Sequence, residues 1–379
     1  MCDLQPDRIA ERLRTEVVDV LKRRFVGRDE VVELIALAIA SGEHLFLHGP
    51  PGTAKSALIR EFARSVKGNY FEYLLTRFSE PNEIFGPIDL ARLREGTVAT
   101  VTTGMLPEAE FVFLDELFNA NSAILNNLLG VLNERIYRRG AETHALPVLS
   151  LFSASNRLSD DDALKALFDR FLLRCHVDDL PRERVPALLL AGRALETEAP
   201  IVSTISARDL RVLAERTKQI DVQNIMEEYA DVVFRIRDLG IELSDRRVVK
   251  ALKLVAGSAV LRGRVRADVS DFWVLRYLWD RVEQIGPLGA LVDRVIEPFA
   301  GGAGVHPAAA PRDRVDAETI ARELDVLAEE LETGPKTLVA IARVREKLAD
   351  LADRSAWVQD DKKRAHLLER SRQYQKKLG

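Results

Sequence analysis

Cysteine is almost absent from this chain, and its scarcity excludes several classes of protein. The 379 residues include two cysteines, Cys2 and Cys175. Two thiols cannot build a disulfide framework or a cysteine-rich zinc site, so we expect a reducing compartment. The first residues lack a basic stretch followed by an apolar one, and the apolar run Leu34–Ala40 is far shorter than the ~20 residues that span a bilayer. We therefore expect a cytoplasmic protein with no membrane span.

The chain also lacks an excess of charge of one sign. Its 55 basic and 59 acidic residues leave a net charge of −4, so bulk electrostatics do not favour nucleic acid as a partner. The strongly basic stretch is residues 362–377, which is either a contact for nucleic acid or an acidic protein, or a solvated helix end. The composition, 47% apolar and 30% charged, is that of a folded chain of two or three domains.

Strand-like and helical patterns alternate in the first half of the chain. The apolar strand-like runs are 44–48, 70–75, 110–114, 148–154 and 171–177. This alternation predicts an α/β fold with a mostly parallel sheet covered on both faces. After Pro181 the strands stop and helical periodicity continues. We predict an α/β core at 1–180, an all-α domain at 181–300, a Gly/Ala/Pro-rich linker at 301–313 and a helical C-terminal extension at 314–379.

A phosphate-binding loop follows the first predicted strand and opens a helix. Small residues there let backbone N–H groups wrap a phosphate at the positive end of the helix dipole. Lys55 would reach the β- and γ-phosphates, and the Ser56 hydroxyl would ligate Mg²⁺. Ala54 stands where the usual pattern has glycine, which is tolerable if Ala54 is helical. The predicted nucleotide-binding residues of this loop are Gly49, Pro50, Pro51, Gly52, Thr53, Ala54, Lys55, Ser56 and Ala57.

Two later strand ends carry the other polar groups that nucleotide hydrolysis requires. Asp115 and Glu116 follow a run of four apolar residues. Asp115 can help to hold Mg²⁺, and Glu116 can orient and polarise an attacking water. Asn156 follows another apolar strand, and its amide can hydrogen-bond the γ-phosphate or the water. ATP and Mg²⁺ are therefore the cofactors we expect. No His/Asp cluster has metal-ligand spacing, so Mg²⁺ bound through the nucleotide is the only metal we expect.

In this order the three motifs resemble Walker A, Walker B and sensor 1 of the AAA+ ATPases. The segments Leu74–Pro87, Gly104–Glu110 and Leu125–Glu134 resemble the MoxR family, and their sequences are most similar to those of its RavA-like branch. The resemblance covers roughly residues 24–285. It implies an AAA+ parallel-sheet P-loop ATPase core, a helical lid domain and a helical C-terminal tail.

The resemblance also implies roles for residues outside the three motifs. Val26 and Gly27 match the motif on the adenine side of the nucleotide. Arg246, near the start of a helix that Ser244 would cap, matches sensor 2 and would reach back to the phosphates. Arg170 matches the arginine finger, which acts on the nucleotide of a neighbouring subunit. The next candidates for that role in trans are Arg135 and Arg174.

Two segments exceed a minimal core. By resemblance, residues 76–105 are a helix-2 insert, with a possible strand at Thr97–Thr103, and residues 136–147 are a β-hairpin before sensor 1. The family implies a homo-hexameric ring that hydrolyses ATP and remodels or activates a protein client, often with a von Willebrand A-domain partner. The alternatives are a nucleic-acid-dependent AAA+ motor, a magnesium-chelatase-like motor subunit and a nucleotide-gated scaffold with negligible turnover.

Overall fold

The computed structural model describes most of the chain. The described residues are 6–96, 98–139, 142–158, 161–299, 304–309, 317–333, 344–345, 347–348, 351–352, 355 and 361–377. Among the helices in these ranges, none is both long and apolar enough to cross a membrane.

Five parallel strands form the central sheet, in the order β2–β3–β6–β1–β7. The strands are β1 (Leu45–His48), β2 (Tyr70–Leu74), β3 (Phe111–Asp115), β4 (Ile136–Arg139), β5 (Glu142–Ala145), β6 (Ser150–Ser155) and β7 (Leu173–His176). β4 and β5 pair with each other as an antiparallel hairpin outside this sheet. The predicted parallel α/β core is therefore confirmed.

Helices surround the sheet and continue after it. They are α1 (Pro6–Arg12), α2 (Asp19–Arg24), α3 (Asp29–Ser41), α4 (Lys55–Ser65), α5 (Pro81–Phe85), α6 (Leu90–Arg94), α7 (Ser122–Glu134), α8 (Asp162–Phe168), α9 (Val185–Thr197), α10 (Ala207–Thr217), α11 (Met226–Asp238), α12 (Asp245–Leu261), α13 (Ile285–Ile296), α14 (Ala317–Thr333) and α15 (Asp361–Lys377). A π-helical stretch, Leu13–Val18, joins α1 to α2.

The sheet forms because its strands are apolar on both faces. Every residue of β6 is buried, as are the first three residues of β1. Such runs suit parallel strands, which helices cover on both sides. α3, almost wholly buried, packs on β1 and β7, and α4 packs on β2 and β3. Gly42 ends α3 in the left-handed conformation (φ 64°) that glycine adopts without strain.

The two predicted insertions differ in outcome. The hairpin of β4 and β5 is confirmed, and its Tyr137 ring stacks on Phe85 of α5 with centroids 4.5 Å apart. Gly140 at its turn lies outside the described residues. The strand predicted at Thr97–Thr103 is wrong, since the described residues there form an isolated bridge between Ile88 and Thr100.

In the helical region after β7, α12 packs near the amino end of β1. α12 lies along α3, with Gly257 against Ser41 at the end of that helix. Lys250 and Lys253 of α12 each bind the buried Glu43 carboxylate at 2.8 Å, just before β1. α12 starts as predicted, because the Ser244 hydroxyl accepts the N–H of Arg247 at 3.3 Å. This helical region therefore joins the core at one edge of the sheet.

Part of the predicted linker contacts the core. The ring of His306 stacks on Trp273 with centroids 4.6 Å apart, and its Nε2 lies 3.4 Å from the Glu33 carboxylate. Arg276 donates to the carbonyl of Ala308 at 2.6 Å. Further on, α14 and α15 share a small apolar cluster with the helical residues between them. Its buried members are Ile320, Leu324, Leu327, Val344, Leu348, Leu351 and Leu367.

Candidate functional site

The predicted phosphate loop begins where β1 ends, between the ends of two neighbouring strands. The N–H of Gly49 donates to the carbonyl of Ser155, which ends β6, at 3.1 Å. Gly49 has φ +148°, and a Cβ atom at this position would lie 2.0 Å from the carbonyl oxygen of Val177, just after β7. Any side chain would therefore push the loop away from the sheet.

Lys55, the first residue of α4, turns back over the loop. Its ammonium group donates to the carbonyls of Gly49 at 3.1 Å and Pro50 at 2.6 Å, and to the Thr53 hydroxyl at 3.0 Å. Partial burial lowers the pKa of Lys55, while the charges of Asp115 and Glu116 oppose that shift. The lysine is thus held at the centre of the loop, within the field of both carboxylates.

Ala54 adopts a conformation that the sequence analysis did not predict. It has φ 63° and ψ 20°, in the left-handed region, as the N-cap of α4. The condition under which a methyl group would be tolerable here, a helical backbone at Ala54, is therefore not met. The reason is geometric, because the loop must reverse direction just before the helix begins. A Cβ atom in this region costs roughly 1–2 kcal/mol, which explains why glycine is usual here.

The loop at residues 26–28 lies against the phosphate loop. Gly27 has φ +69°, and a Cβ atom there would meet the Leu180 side chain at 2.4 Å. Arg28 Nε donates to the carbonyl of Thr53 at 3.1 Å. The predicted adenine-side residues, Val26 and Gly27, are therefore brought next to the phosphate loop. Arg28, the last residue of the matched motif Phe25–Arg28, makes the direct contact with the phosphate loop.

Asp115 and Glu116 emerge from the end of β3 at the same edge. Asp115 Oδ1 accepts the N–H of Glu116 at 3.0 Å, and Glu116 has φ 54°. This left-handed residue turns the chain sharply, so that the two successive carboxylates take different directions. The Ser155 hydroxyl lies 3.5 Å from Glu116 Oε2, and Asn156 follows it, exposed. Four of the predicted polar groups, Lys55, Asp115, Glu116 and Asn156, therefore meet at the carboxyl edge of the sheet.

The donor chemistry of this edge fits a magnesium ion. Ser56 and Asp115 offer hydroxyl and carboxylate oxygens, which Mg²⁺ prefers, and it normally keeps phosphate and water ligands as well. Burial raises the pKa of Asp115 because it disfavours the charged carboxylate. A nearby cation would stabilise that charged form. Among the described residues, no group of three or more His, Cys, Asp or Glu side chains could hold a metal ion.

A histidine pair that the sequence pattern did not indicate lies beside the phosphate loop. His48 and His176 end the paired strands β1 and β7, and their Nδ1 atoms lie 2.9 Å apart. Asp178 lies 2.8 Å from His176 Nε2. Partial burial lowers the pKa of His48, and the adjacent His176 and Lys55 lower it further. No spacing in the sequence indicates this pair, because strand order brings it together.

Arg170 and Arg246, the predicted arginine finger and sensor 2, lie away from the phosphate loop, beside the end of α7. Both donate to the side-chain oxygen of Asn133 near the end of α7, Arg170 from Nε at 3.1 Å and Arg246 from Nη2 at 2.9 Å. The end of α7 is at the amino edge of the sheet, since His44, just before β1, contacts the carbonyl of Leu132 at 3.1 Å. In this arrangement Arg246 is separated from the phosphate loop of its own chain by the height of the sheet, whereas sensor 2 was expected to reach it.

The two other predicted trans arginines make structural contacts. Arg135 Nη2 donates to the carbonyl of Gly42 at 2.7 Å. Arg174 is 1% exposed and donates to the Trp279 carbonyl at 2.6 Å and to the Asp280 carboxylate at 2.5 Å. Arg247, which follows Arg246, is also buried. Of the four arginines with a predicted role at the phosphates, the partly exposed Arg170 and Arg246 are thus the ones that stand side by side.

Comparison with known proteins agrees with this architecture. The family model described as the MoxR domain in the MoxR-vWA-beta-propeller ternary systems matches residues 11–215, and a model of the AAA lid domain matches residues 220–291. An uncharacterised protein of Methanocaldococcus jannaschii is 38% identical over 292 residues, which cover 76% of this chain and 75% of that protein. The chaperone MoxR1 of Mycobacterium tuberculosis is 29% identical over 224 residues, 57% of this chain and 58% of that protein.

A solved structure supports the fold independently. A predicted ATPase from Cytophaga hutchinsonii superimposes with a TM-score of 0.62 at 17% identity, covering 77% of this chain and 95% of that one. The parallel sheet, the phosphate loop and the lid define the class of AAA+ P-loop ATPases. Within that class, the chain belongs to the MoxR family.

Proposed function

We propose that this protein hydrolyses ATP with Mg²⁺ and uses the energy to remodel or activate a protein client. The observation that carries the proposal is the convergence of Lys55, Asp115, Glu116 and Asn156 at one edge of the sheet, around a loop that admits no side chain at Gly49. Separate segments of the chain supply these groups, which are the types of group that phosphoryl transfer requires.

The roles follow from the chemistry of each side chain. The backbone of residues 49–57 would bind the phosphates, and residues 26–27 would lie by the adenine. Mg²⁺, held through Ser56 and Asp115, would neutralise charge on the phosphates. Glu116 would accept a proton from the attacking water or orient it, and Asn156 would hydrogen-bond the water or the γ-phosphate.

We further propose that the site is completed by a second copy of the chain. Arg170 and Arg246 are partly exposed and share Asn133, at the amino edge of the sheet. β1 runs from His44, beside the end of α7, to the phosphate loop and has four residues, so about 13 Å separates the two edges there. Guanidiniums there can stabilise the γ-phosphate of a neighbour but not that of their own chain. Head-to-tail contacts of this kind form a ring where the rotation between copies closes, and the family resemblance favours a ring of six copies.

The client is proposed from the family alone. The description of the matched family model names von Willebrand A and β-propeller partners in the same systems. A von Willebrand A-domain protein is therefore the first candidate for a partner of this chain. We propose that the two meet in the cytoplasm, the compartment that the composition and the family favour.

The test is turnover with matched carboxamide variants. We expect wild-type protein to hydrolyse Mg²⁺-ATP. Glu116→Gln should keep nucleotide bound and lose about 10²–10⁴-fold in kcat, because the amide cannot accept a proton. Glu215→Gln, an exposed glutamate paired with Lys218, should behave as wild type. Hydrolysis by Glu116→Gln at the wild-type rate, or none by the wild type, would overturn the proposal.

A further inference from the structure

Asn133 joins two cations that come from different parts of the molecule. Arg170 stands between α8 and β7 in the core, and Arg246 is in the first turn of α12 in the helical region. The same oxygen, Oδ1 of Asn133, accepts a hydrogen bond from Nε of Arg170 at 3.1 Å and another from Nη2 of Arg246 at 2.9 Å. Guanidiniums can only donate, so this oxygen is the acceptor in both contacts.

The shared acceptor leaves the positive charge of the pair largely intact. Within the described part of the chain, Arg246 has no ion-pair partner, and Arg170 pairs with Asp169 at 3.3 Å. Partial burial lowers the pKa of Arg170, and the charge of Arg246 lowers it further, so the two cations repel each other. Each guanidinium carries five donors, and Asn133 engages one of each. An amide thus holds two like charges together without neutralising them.

We infer that Asn133 is a positioning residue that presents Arg170 and Arg246 as one receptor for the terminal phosphate of a nucleotide bound by the neighbouring copy. The inference rests on the proposed function and adds a residue outside the recognised motifs. An aspartate at this position would hold the arginines more firmly through charge-assisted bonds, but it would compete with the phosphate for the same donors.

Asn133→Asp separates this role from a purely structural one. If Asn133 only ties the core to the helical region, the carboxylate strengthens that tie and turnover stays normal. If Asn133 presents the arginines to phosphate, the added negative charge repels it. We then expect kcat to fall by at least about 10-fold, the ATP affinity of the same chain to stay within about 2-fold, since its own phosphate loop is intact, and the Tm to be no lower than that of wild type.

A matched control is available on the same helix. Asn127 donates to the carbonyl of Ala123 at 3.0 Å and lies about 9 Å along the helix axis from Asn133. Asn127→Asp adds the same charge to the same surface without touching the arginines, so its kcat should stay near wild type. Asn133→Ala should also lower kcat, because nothing then holds the two guanidiniums together.

The outcomes distinguish this inference from the proposal beneath it. Loss of turnover in Arg170→Ala with wild-type turnover in Asn133→Asp would overturn the role of Asn133 alone. Wild-type turnover in Arg170→Ala would overturn the trans arginines and Asn133 together. Recovery of activity when Asn133→Asp chains are co-assembled with Lys55→Ala chains would support the inference, because the defect would then act on the neighbour.

Discussion

At the scale of single residues, the phosphate loop shows what a sequence pattern can and cannot predict. Lys55, Asp115 and Asn156 were predictable, because the loop that carries Lys55 begins where β1 ends, Asp115 ends β3 and Asn156 follows β6. Parallel strands end at a common edge. The conformation of Ala54 was not, since its φ of 63° is imposed by the path of the chain between β1 and α4. The shared contacts of Arg170 and Arg246 with Asn133 were not predictable either, because they join residues 37 and 113 positions apart.

The strain at Ala54 gives a prediction of stability. Ala54→Gly should raise the free energy of unfolding by up to about 1 kcal/mol, because relief of the left-handed Cβ outweighs the extra entropy of glycine in the unfolded chain. Ala57→Gly is the matched control, since Ala57 is exposed within α4. That change should lower the free energy of unfolding by roughly 0.5–1 kcal/mol. Urea unfolding checks both, and two changes of the same sign would contradict the account.

At the scale of elements, the strands and helices of the core were predictable and their joints were not. Periodicity indicates β1, β2, β3, β6 and β7 because their apolar runs are continuous. The joint between β7 and the helical region depends instead on Asp280, whose Oδ1 accepts from Arg174 at 2.5 Å and from Arg247 at 2.7 Å. From sequence, Arg174 is a candidate for the role in trans, and its structural partner is not evident because it lies 106 residues away.

Asp280 should therefore carry much of the stability of this joint. The two buried arginines lower the pKa of Asp280 against the opposing effect of its own burial. Asp280→Asn removes the carboxylate that both cations share and leaves Arg247 with a longer, 3.8 Å contact to Asp169. We therefore expect a loss of about 3–5 kcal/mol in the free energy of unfolding. Asp231→Asn, which removes an exposed partner of Arg235, should cost less than about 1 kcal/mol. Equal effects of the two changes in urea unfolding would contradict this interpretation.

At the scale of the whole molecule, the two edges of the sheet carry complementary groups. The carboxyl edge presents the phosphate loop, Asp115 and Glu116, and the amino edge presents Arg170 and Arg246 on Asn133. One chain cannot bring its own two edges together. Sequence alone predicted Arg170 in trans and Arg246 in cis, and the position of α12 along α3 is what moves Arg246 to the other edge. The division at 180/181 and the number of copies stay predictions.

The measurement that tests the central claim most directly combines two inactive variants. Lys55→Ala should abolish nucleotide binding, and Arg170→Ala should bind ATP but lose most turnover. When the two are co-expressed, about one interface in four pairs an intact Lys55 loop with an intact Arg170 from the neighbour, if subunits mix at random in head-to-tail rings. The account predicts that ATP hydrolysis partly returns in such verified mixed assemblies. Mixed assemblies with no recovery, or an Arg170→Ala protein with wild-type turnover by itself, would contradict it.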